Sequence, residues 1–461
     1  MASGRAPESI FGSGAVSLEI DEATAKGLAL PGVAGNVAVP GAVENKHIIK
    51  KSGLMPRVRQ EQKDHDIFLT HPARNLDEVV NDITAIHPED TFCFLNVKKL
   101  SERAAELRDH FLPNNSLGVV AYAVKANAKD KILRVLGSEG IDHYDCASAN
   151  EIAQVKSCQP NAEILYNHPI KTPADIAEAA SMGVAHFTVQ SQREIDKLSK
   201  VAQPYMTDRK MEVAVRLSTP NDNAAINLST KFGASEPDLR AMIRYIRDVV
   251  GALPGISIHT GSQNQDPEVY TTAIKKISLI GAEEGGMNTM NVGGGIPVNY
   301  HDKDQFDLRT YLDIINRAIV EYGRHTMRGD NPKILLEVGR SMVAECIDLV
   351  IPVLAVEDRN RGRCAYINDG VYTSFSDFAV HEWPYNFLWR GKDGRKLSDK
   401  MVPFEVFGRT CDSGDSLGQI VLPEDLGEGD YLWVKNAGAY MDAQGGRFNG
   451  FDLPKYVAYN T

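Results

Sequence analysis

The segment AYAVKAN puts Lys125 at the end of an apolar run, Val119 to Val124. If that run is a barrel strand, the amine faces the mouth where barrel enzymes work. Partly shielded by apolar neighbours, it sheds its charge more easily and can attack an aldehyde. The bland alternative is a lysine that marks a strand end in solvent. NVGGGIP sets Gly293, Gly294 and Gly295 behind another strand-like run. Residues without Cβ let backbone N–H groups close on an anion such as phosphate, although tight turns use the same residues. Arg340 in LEVGRS can add a charge-assisted pair to that anion, or close an ordinary ion pair. Three residues earlier, Glu337 ends Ile334-Leu335-Leu336. A carboxylate there can keep a ring nitrogen protonated and so make the ring an electron sink, or can be a buried partner of Arg340. IHTGSQ offers His259, a flat ring able to stack on a planar group, and Ser262, a hydroxyl for phosphate; both also fit as satisfied core groups. CDSGD (Cys411, Asp412, Asp415) and GAYMDAQGGRFNGF (Tyr440, Phe448) read on their own as acidic or glycine-rich loops.

These residues need strands to hold them. Short apolar runs recur at Gly118 to Val124, Ile164 to Tyr166, Phe187 to Val189, Val213 to Val215, Ile256 to Ile258, Met290 to Val292 and Ile334 to Leu336, after a first one at Phe92 to Leu95. Helical spacing lies between them, over Val97 to Phe111, Asp130 to Leu136, Thr172 to Met182, Gln192 to Val201 and Pro237 to Val250. Alternating strands and helices predict a parallel sheet covered on both faces. About eight such units in roughly 250 residues fit a closed α/β barrel of the (β/α)8, TIM-like kind. After about residue 345 short β-rich segments between Gly, Asp and Pro turns predict an antiparallel β domain, joined by a strand or two from before residue 90. The division expected is an extension over 1–65, partly disordered, surface-packed or holding a partner, then a barrel domain over 66–345 and a β domain over 346–461.

Composition narrows the partners. The 461 residues carry a formal charge of −11, which argues against a nucleic-acid partner. No run approaches the roughly 18 apolar residues that span a bilayer, so no membrane contact is expected. No charged region followed by an apolar stretch suggests a signal peptide, and a cytoplasmic protein is the simplest expectation. The six cysteines form no CxxC pair, so neither a disulfide framework nor a metal site is expected.

Taken in order, AYAVKAN, YDCASANEI, LSTKFGA, IHTGSQ, NVGGGIP, EVGRS, NDGVYTSF, CDSGD and GAY…FNGF resemble the fold-type III pyridoxal-phosphate decarboxylases, over roughly residues 90 to 455. The ornithine decarboxylase group is the most similar. The resemblance implies pyridoxal 5'-phosphate, carried by Lys125 as a Schiff base. Asp145 and Glu151 match acidic positions beside the cofactor, and Arg216 an arginine near its ring. His259 resembles the stacking histidine and Glu337 the partner of the ring nitrogen. Ser262, Gly293, Gly294, Gly295, Gly339, Arg340 and Tyr440 match the phosphate subsite. Cys411 matches the cysteine that protonates the carbanion, Asp412 the carboxylate for a distal amine, with Asp415 in the same loop, and Phe448 an aromatic at the pocket wall. In that group Cys411 and Asp412 reach into the other subunit's site, which implies a head-to-tail homodimer acting on a small amino acid.

One departure bears on the substrate. Where the ornithine group has a Tyr-Asp pair that also binds the distal amine, this chain has Val380 and His381, followed by Glu382 and Trp383. Either Glu382 shifts into that role beside His381, or the substrate does not end in a simple δ-ammonium. L-ornithine or a related basic amino acid leads. Lysine, arginine, diaminopimelate and a modified or D-amino acid are the alternatives. Diaminopimelate is disfavoured because that group has Glu-Ser after the cysteine, where this chain has Asp412-Ser413. A racemase would need a tyrosine base in place of CDSGD. A non-catalytic regulatory homologue would have lost cofactor residues that stand here. EVGR also carries Val338 where the family usually has proline, a backbone detail.

Overall fold

A computed structural model of the chain describes residues 68–460, apart from Arg74, 114–115, Asn223, 301–304, Asp330, Arg361, 382–384 and Asp442. The extension read over 1–65, and Glu382, lie outside the described residues.

Eight strands pair in parallel and close on themselves: Gly118–Ala123, His143–Cys146, Glu163–Tyr166, His186–Val189, Glu212–Arg216, Leu253–Ser257, Thr289–Asn291 and Lys333–Val338. The last pairs with the first, Glu337 opposite Ala121, and this contact seals the barrel. The helices between strands start where the chain supplies caps. Ser148 accepts from Glu151 N, and Thr172 accepts from Asp175 N just ahead of Pro173, so the helix read from Thr172 begins one residue later. The segment expected as one helix to Val250 is helical over Glu236–Tyr245 and then widens into a π turn, Ile246–Val250, stopped by Gly251 at φ 73°. A left-handed residue there suits glycine, which has no Cβ to clash.

Strand periodicity sorts the barrel interior into layers, because alternate residues share a face. Lys333, Leu335 and Glu337 share one face of their strand, as do Glu212, Ala214 and Arg216 of theirs. At the floor, Glu212 collects Lys333 Nζ (3.3 Å), Thr289 Oγ1 (3.1 Å) and His186 Nδ1 (3.4 Å). Ala121, Leu165 and Leu335 form a small apolar cluster of their own above it. The next residues on those faces, at the strands' C-terminal ends, include Asp145, Thr188, Arg216, Asn291 and Glu337, all polar. The outward residues, such as Val120, Tyr122 and Leu336, belong to the large core shared with the helices.

The second sheet has nine strands. Phe92–Asn96, the first run of the sequence alternation, belongs here and not to the barrel. It lies between Lys455–Tyr459, parallel, and Ile347–Arg359, antiparallel. Phe68–His71 adds an edge strand beside Lys455–Tyr459. The sheet is mostly antiparallel, and Gly362–Ile367 with Met401–Phe407 is a further parallel pair. The chain enters it from the barrel's last strand through a short helix, Arg340–Val343, so both parts of the fold meet next to Glu337 and Arg340. No helix among the described residues is long and apolar enough to cross a membrane.

Candidate active site

The barrel's C-terminal end opens into a cavity of about 320 Å³ lined by Lys125, Asp145, Arg216, His259, Ser262, Gly294, Gly295, Glu337, Gly339, Arg340, His381 and Tyr440. These residues, scattered over 316 positions from Lys125 to Tyr440, share one wall system because each follows or ends a strand of the barrel or, for His381 and Tyr440, lies after a strand of the second sheet.

Lys125 lies in the single tight turn Val124–Ala126 after its strand, and Nζ donates to Asp145 Oδ2 at 2.9 Å. Its side chain keeps 43% of its surface open, facing the cavity, whereas Asp145 is buried. The expectation of an easily discharged amine is corrected here. Burial does disfavour the ammonium, but Asp145, Tyr440 and Glu337 outweigh it and hold the amine's pKa above its ordinary value.

Glu337 is buried, and its Oε1 accepts from Asn167 Nδ2 and Asn291 Nδ2, each at 2.6 Å. Thr188 Oγ1 donates to Asn167 Oδ1 at 2.7 Å and Asn291 Oδ1 accepts from Gly293 N at 2.9 Å, so both amides have fixed orientations. Burial, then the nearby charge of Asp145, push the Glu337 carboxyl above the usual range, opposed by Lys125, Asn291 and Arg216. Arg216 ends its strand with its guanidinium 5.3 Å from the Phe232 ring centre. Its pKa is lowered by burial, with Glu337 and Asp145 pulling the other way. The reading of Glu337 as Arg340's ion-pair partner is not what forms: Arg340 pairs with Asp377.

His259 accepts from Gly261 N through Nδ1 at 3.2 Å. Burial first, then the charges of Arg216 and Lys125, hold its pKa well below the ordinary value, so the ring is neutral at physiological pH. The glycine loop packs tightly against the IHTGSQ loop. A Cβ on Gly295, whose φ is 102°, would meet Gly261 O at 1.9 Å, and one on Gly294 would meet Glu337 O at 2.3 Å. Among the described residues the N–H groups of Gly294 and Gly295 have no protein acceptor, while Gly293 N is used by Asn291 and Gly293 does not line the cavity. Arg340 is buried, its guanidinium 4.6 Å from the centre of the Tyr440 ring and donating to Tyr300 OH at 2.7 Å. Tyr440 holds a left-handed backbone, φ 65°, anchored by its N–H to Ala126 O at 2.8 Å, which brings the second sheet's loop to the turn of Lys125.

Other expected residues lie elsewhere. Glu151 does not line this cavity. Its Oε2 reaches back to the residue before the N-cap, accepting from Ala147 N, and it faces a neighbouring cleft that Lys125 and Tyr440 also border. Asp415, expected near substrate, is buried and pins loops: it accepts from Val371 N, Thr410 N and Thr410 Oγ1. Cys411, Asp412 and Phe448 are exposed and outside the cavity. They form one patch: Tyr372 OH donates to Asp412 Oδ2 at 2.5 Å, the Tyr372 and Phe448 ring centres are 4.8 Å apart, and Cys411 N donates to the Asn449 side chain at 3.0 Å. Asn167, Thr188, Asn291, Tyr300 and Asp377 were missed in the sequence. Asn167 and Asn291 carried a signal, since one directly follows a strand-like run and the other is a polar residue inside one.

The family described as "Pyridoxal-dependent decarboxylase, pyridoxal binding domain" matches residues 97–344. This chain belongs to the pyridoxal-dependent decarboxylases. A lysine/ornithine decarboxylase of Selenomonas ruminantium is 29% identical over 384 residues, covering 80% of this chain and 92% of that one. An ornithine decarboxylase of Schizosaccharomyces pombe is 30% identical, covering 74% and 77%. Among solved structures, the arginine decarboxylase of Paramecium bursaria Chlorella virus superposes with a TM-score of 0.71 at 27% identity, over 83% of this chain and all of that one. The chain is therefore a pyridoxal-phosphate-dependent amino-acid decarboxylase, a carboxy-lyase.

The cavity suits that cofactor. A decarboxylase of this family needs an amine for the aldehyde carbon, a carboxylate for the ring nitrogen, a flat face for the ring and donors for a phosphate. Lys125, Glu337, the neutral His259 and the two unengaged glycine N–H groups beside Arg340 would supply that set. The glycines matter because any Cβ would fill the cradle or strike the backbone behind it.

Proposed function

We propose that this decarboxylase removes the α-carboxylate of a basic amino acid, L-ornithine or a close relative, as a homodimer with two shared active sites. Lysine and arginine are the next candidates, in keeping with the names of its relatives; diaminopimelate and modified or D-amino acids follow. The observation that carries the chemistry is the convergence of Lys125, Glu337 and Arg340 on one cavity. The observation that favours the dimer is the exposed patch of Cys411, Asp412 and Phe448, which does not line the cavity of its own chain. We assign the protein to the cytoplasm, a reading compatible with six cysteines that form no disulfide with one another.

Pyridoxal phosphate, when bound, supplies an electron sink for the pair left behind as CO2 departs. Lys125, the amine that faces the cavity, would hold the cofactor through its aldehyde carbon. Glu337, held by Asn167 and Asn291, keeps a proton on the ring nitrogen. His259, being neutral, covers the ring without adding a positive charge. Gly294, Gly295, Ser262, Tyr440 and Arg340 bind the phosphate and fix the ring's orientation. Ala123, Ile226, Leu228, Ile258 and Ile296 add an apolar lining to the cavity, beside which loss of the carboxylate's charge is favoured. Cys411, supplied by the other copy, delivers a proton to Cα, and Asp412 beside it receives the substrate's far end.

The test is CO2 release from L- and D-ornithine, lysine, arginine and diaminopimelate by the cofactor-loaded protein, with release from an L-basic amino acid expected. No release from any of them overturns the substrate assignment. For the shared sites, K125A and C411A proteins are mixed in equal amounts. Random re-pairing then leaves about a quarter of sites intact, so activity should rise to about that share of wild type. A mixture no more active than its components overturns the dimer arrangement.

A further inference from the structure

Asp377 was not singled out by the sequence, yet it lines the Lys125 cavity. It sits on the short helix Ser376–His381, which is aimed by the turn before it. There the buried Asp369 accepts from Gly370 N, Ser374 N and Ser374 Oγ, and so fixes NDGVYTSF in place. Only 1% of Asp377 is exposed. Its Oδ2 faces Nη1 and Nη2 of Arg340, both at 3.3 Å. Its Oδ1 accepts no hydrogen bond among the described residues and lies 3.8 Å from His381 Nε2, too far for one.

Two physical facts make this arrangement incomplete. First, Arg340 is the guanidinium assigned above to the phosphate, and Asp377 already offsets its charge. A phosphate adds about −1.5 to −2, so the filled subsite is short of positive charge. Second, Oδ1 borders the cavity and accepts from no protein donor among the described residues, so a donor is left to whatever fills the cavity. A cationic N–H donor arriving with the substrate removes both deficits. His381, which is 27% exposed and also lines the cavity, stands at the open side of Oδ1.

We infer that Asp377 is the specificity-determining carboxylate on this chain's own side of the pocket, taking through Oδ1 a cationic group at the far end of the substrate side chain. This rests on the reading of the substrate as a basic amino acid. It also accounts for the departure at Val380-His381. Asp377 lies four residues before His381, one helical turn away on the same face. The acid missing from the later position is displaced along the helix, and Glu382 is not needed for the role. An ammonium and a guanidinium share the required chemistry, and the assay separates them.

The experiment uses the cofactor-loaded D377N and D377E proteins beside wild type. Decarboxylation is measured for L-ornithine, L-lysine and L-arginine, and for L-norvaline and L-norleucine, which lack the distal cation. Cofactor affinity is followed in parallel by absorbance titration. In D377N the preference for the best basic substrate over its uncharged counterpart should fall about 10–100-fold, mostly through KM, as expected for loss of one charge-assisted hydrogen bond. D377E, with a carboxylate carried one methylene further, should retain that preference but shift it toward the shorter basic side chain. This second variant keeps the test valid if D377N does not fold. An unchanged preference in both, with weakened cofactor binding, assigns Asp377 to holding Arg340 alone and overturns the inference. Wild type that acts on norleucine or norvaline but on no basic amino acid overturns the substrate reading itself, a result distinct from the first.

Discussion

Lys125 and Asp145 form a 2.9 Å ion pair at the barrel mouth, so the amine that must attack an aldehyde is held as a cation. Capture of the cofactor therefore requires a proton to leave first. Because Asp145, Tyr440 and Glu337 raise the amine's pKa, the rate of cofactor capture by cofactor-free protein should climb with pH throughout the neutral and alkaline range. D145N removes the leading attraction, lowers the amine's pKa and should speed capture at a given pH. Stopped-flow absorbance checks this; a slower, pH-independent capture in D145N contradicts it. K125A should lose turnover and keep only non-covalent cofactor, seen by reduction with borohydride followed by mass analysis.

The two asparagines on Glu337 predict a graded series. E337Q removes the charge that retains the ring proton and should lower kcat by about 10²–10⁴-fold, the range for a positioned acid–base group. N167A and N291A each remove one N–H donor to the carboxylate and should cost about tenfold. Losing a donor to the charged form raises the Glu337 pKa further, so the acidic limb of the pH–kcat profile should move to higher pH in both. A limb that stays in place with reduced kcat would show that the asparagines act on something other than Glu337.

C411A addresses proton delivery. Turnover should slow, and part of the product should appear as an aldehyde in place of the amine, its nitrogen retained by the cofactor, because the proton reaches the wrong carbon. Product analysis by mass spectrometry decides it: an unchanged rate and a pure amine product remove the acid role.

At the barrel floor Glu212 carries a stability prediction. Burial alone would raise its pKa, but the hydrogen bond and charge of His186 and the charge of Lys333 pull it down to about 2. A carboxyl depressed on folding adds stability that is present above its unfolded value of roughly 4.3 and is lost as pH falls toward 2. Wild type should therefore be about 2–3 kcal/mol more stable than E212Q near pH 7, a gap that narrows between roughly pH 5 and 2. Urea unfolding of both proteins across that window measures it; a gap independent of pH refutes the linkage.

The amino-acid order alone determined the strand–helix repeat, because period-2 and helical apolar spacings are local. It also determined the chemistry near Cα: Lys125, Glu337, the glycine loop and Arg340 carry specific residue types in specific segments, and all four reach one cavity. Side-chain partnerships across the barrel were not legible, because they depend on closure. Asn167 and Asn291 meet on Glu337 only when strands 46 and 170 residues away curve to the same mouth. Closure also reversed the expected charge state of Lys125, since its apolar neighbours in sequence are not its neighbours in space. Asp415 looked like a substrate ligand beside Asp412, and burial made it a loop pin. Finally, the sequence put the question of the far end of the substrate at His381, whereas a single helical turn gave the carboxylate to Asp377. Residue types fix what a side chain can do; the fold decides which other charges it must answer to.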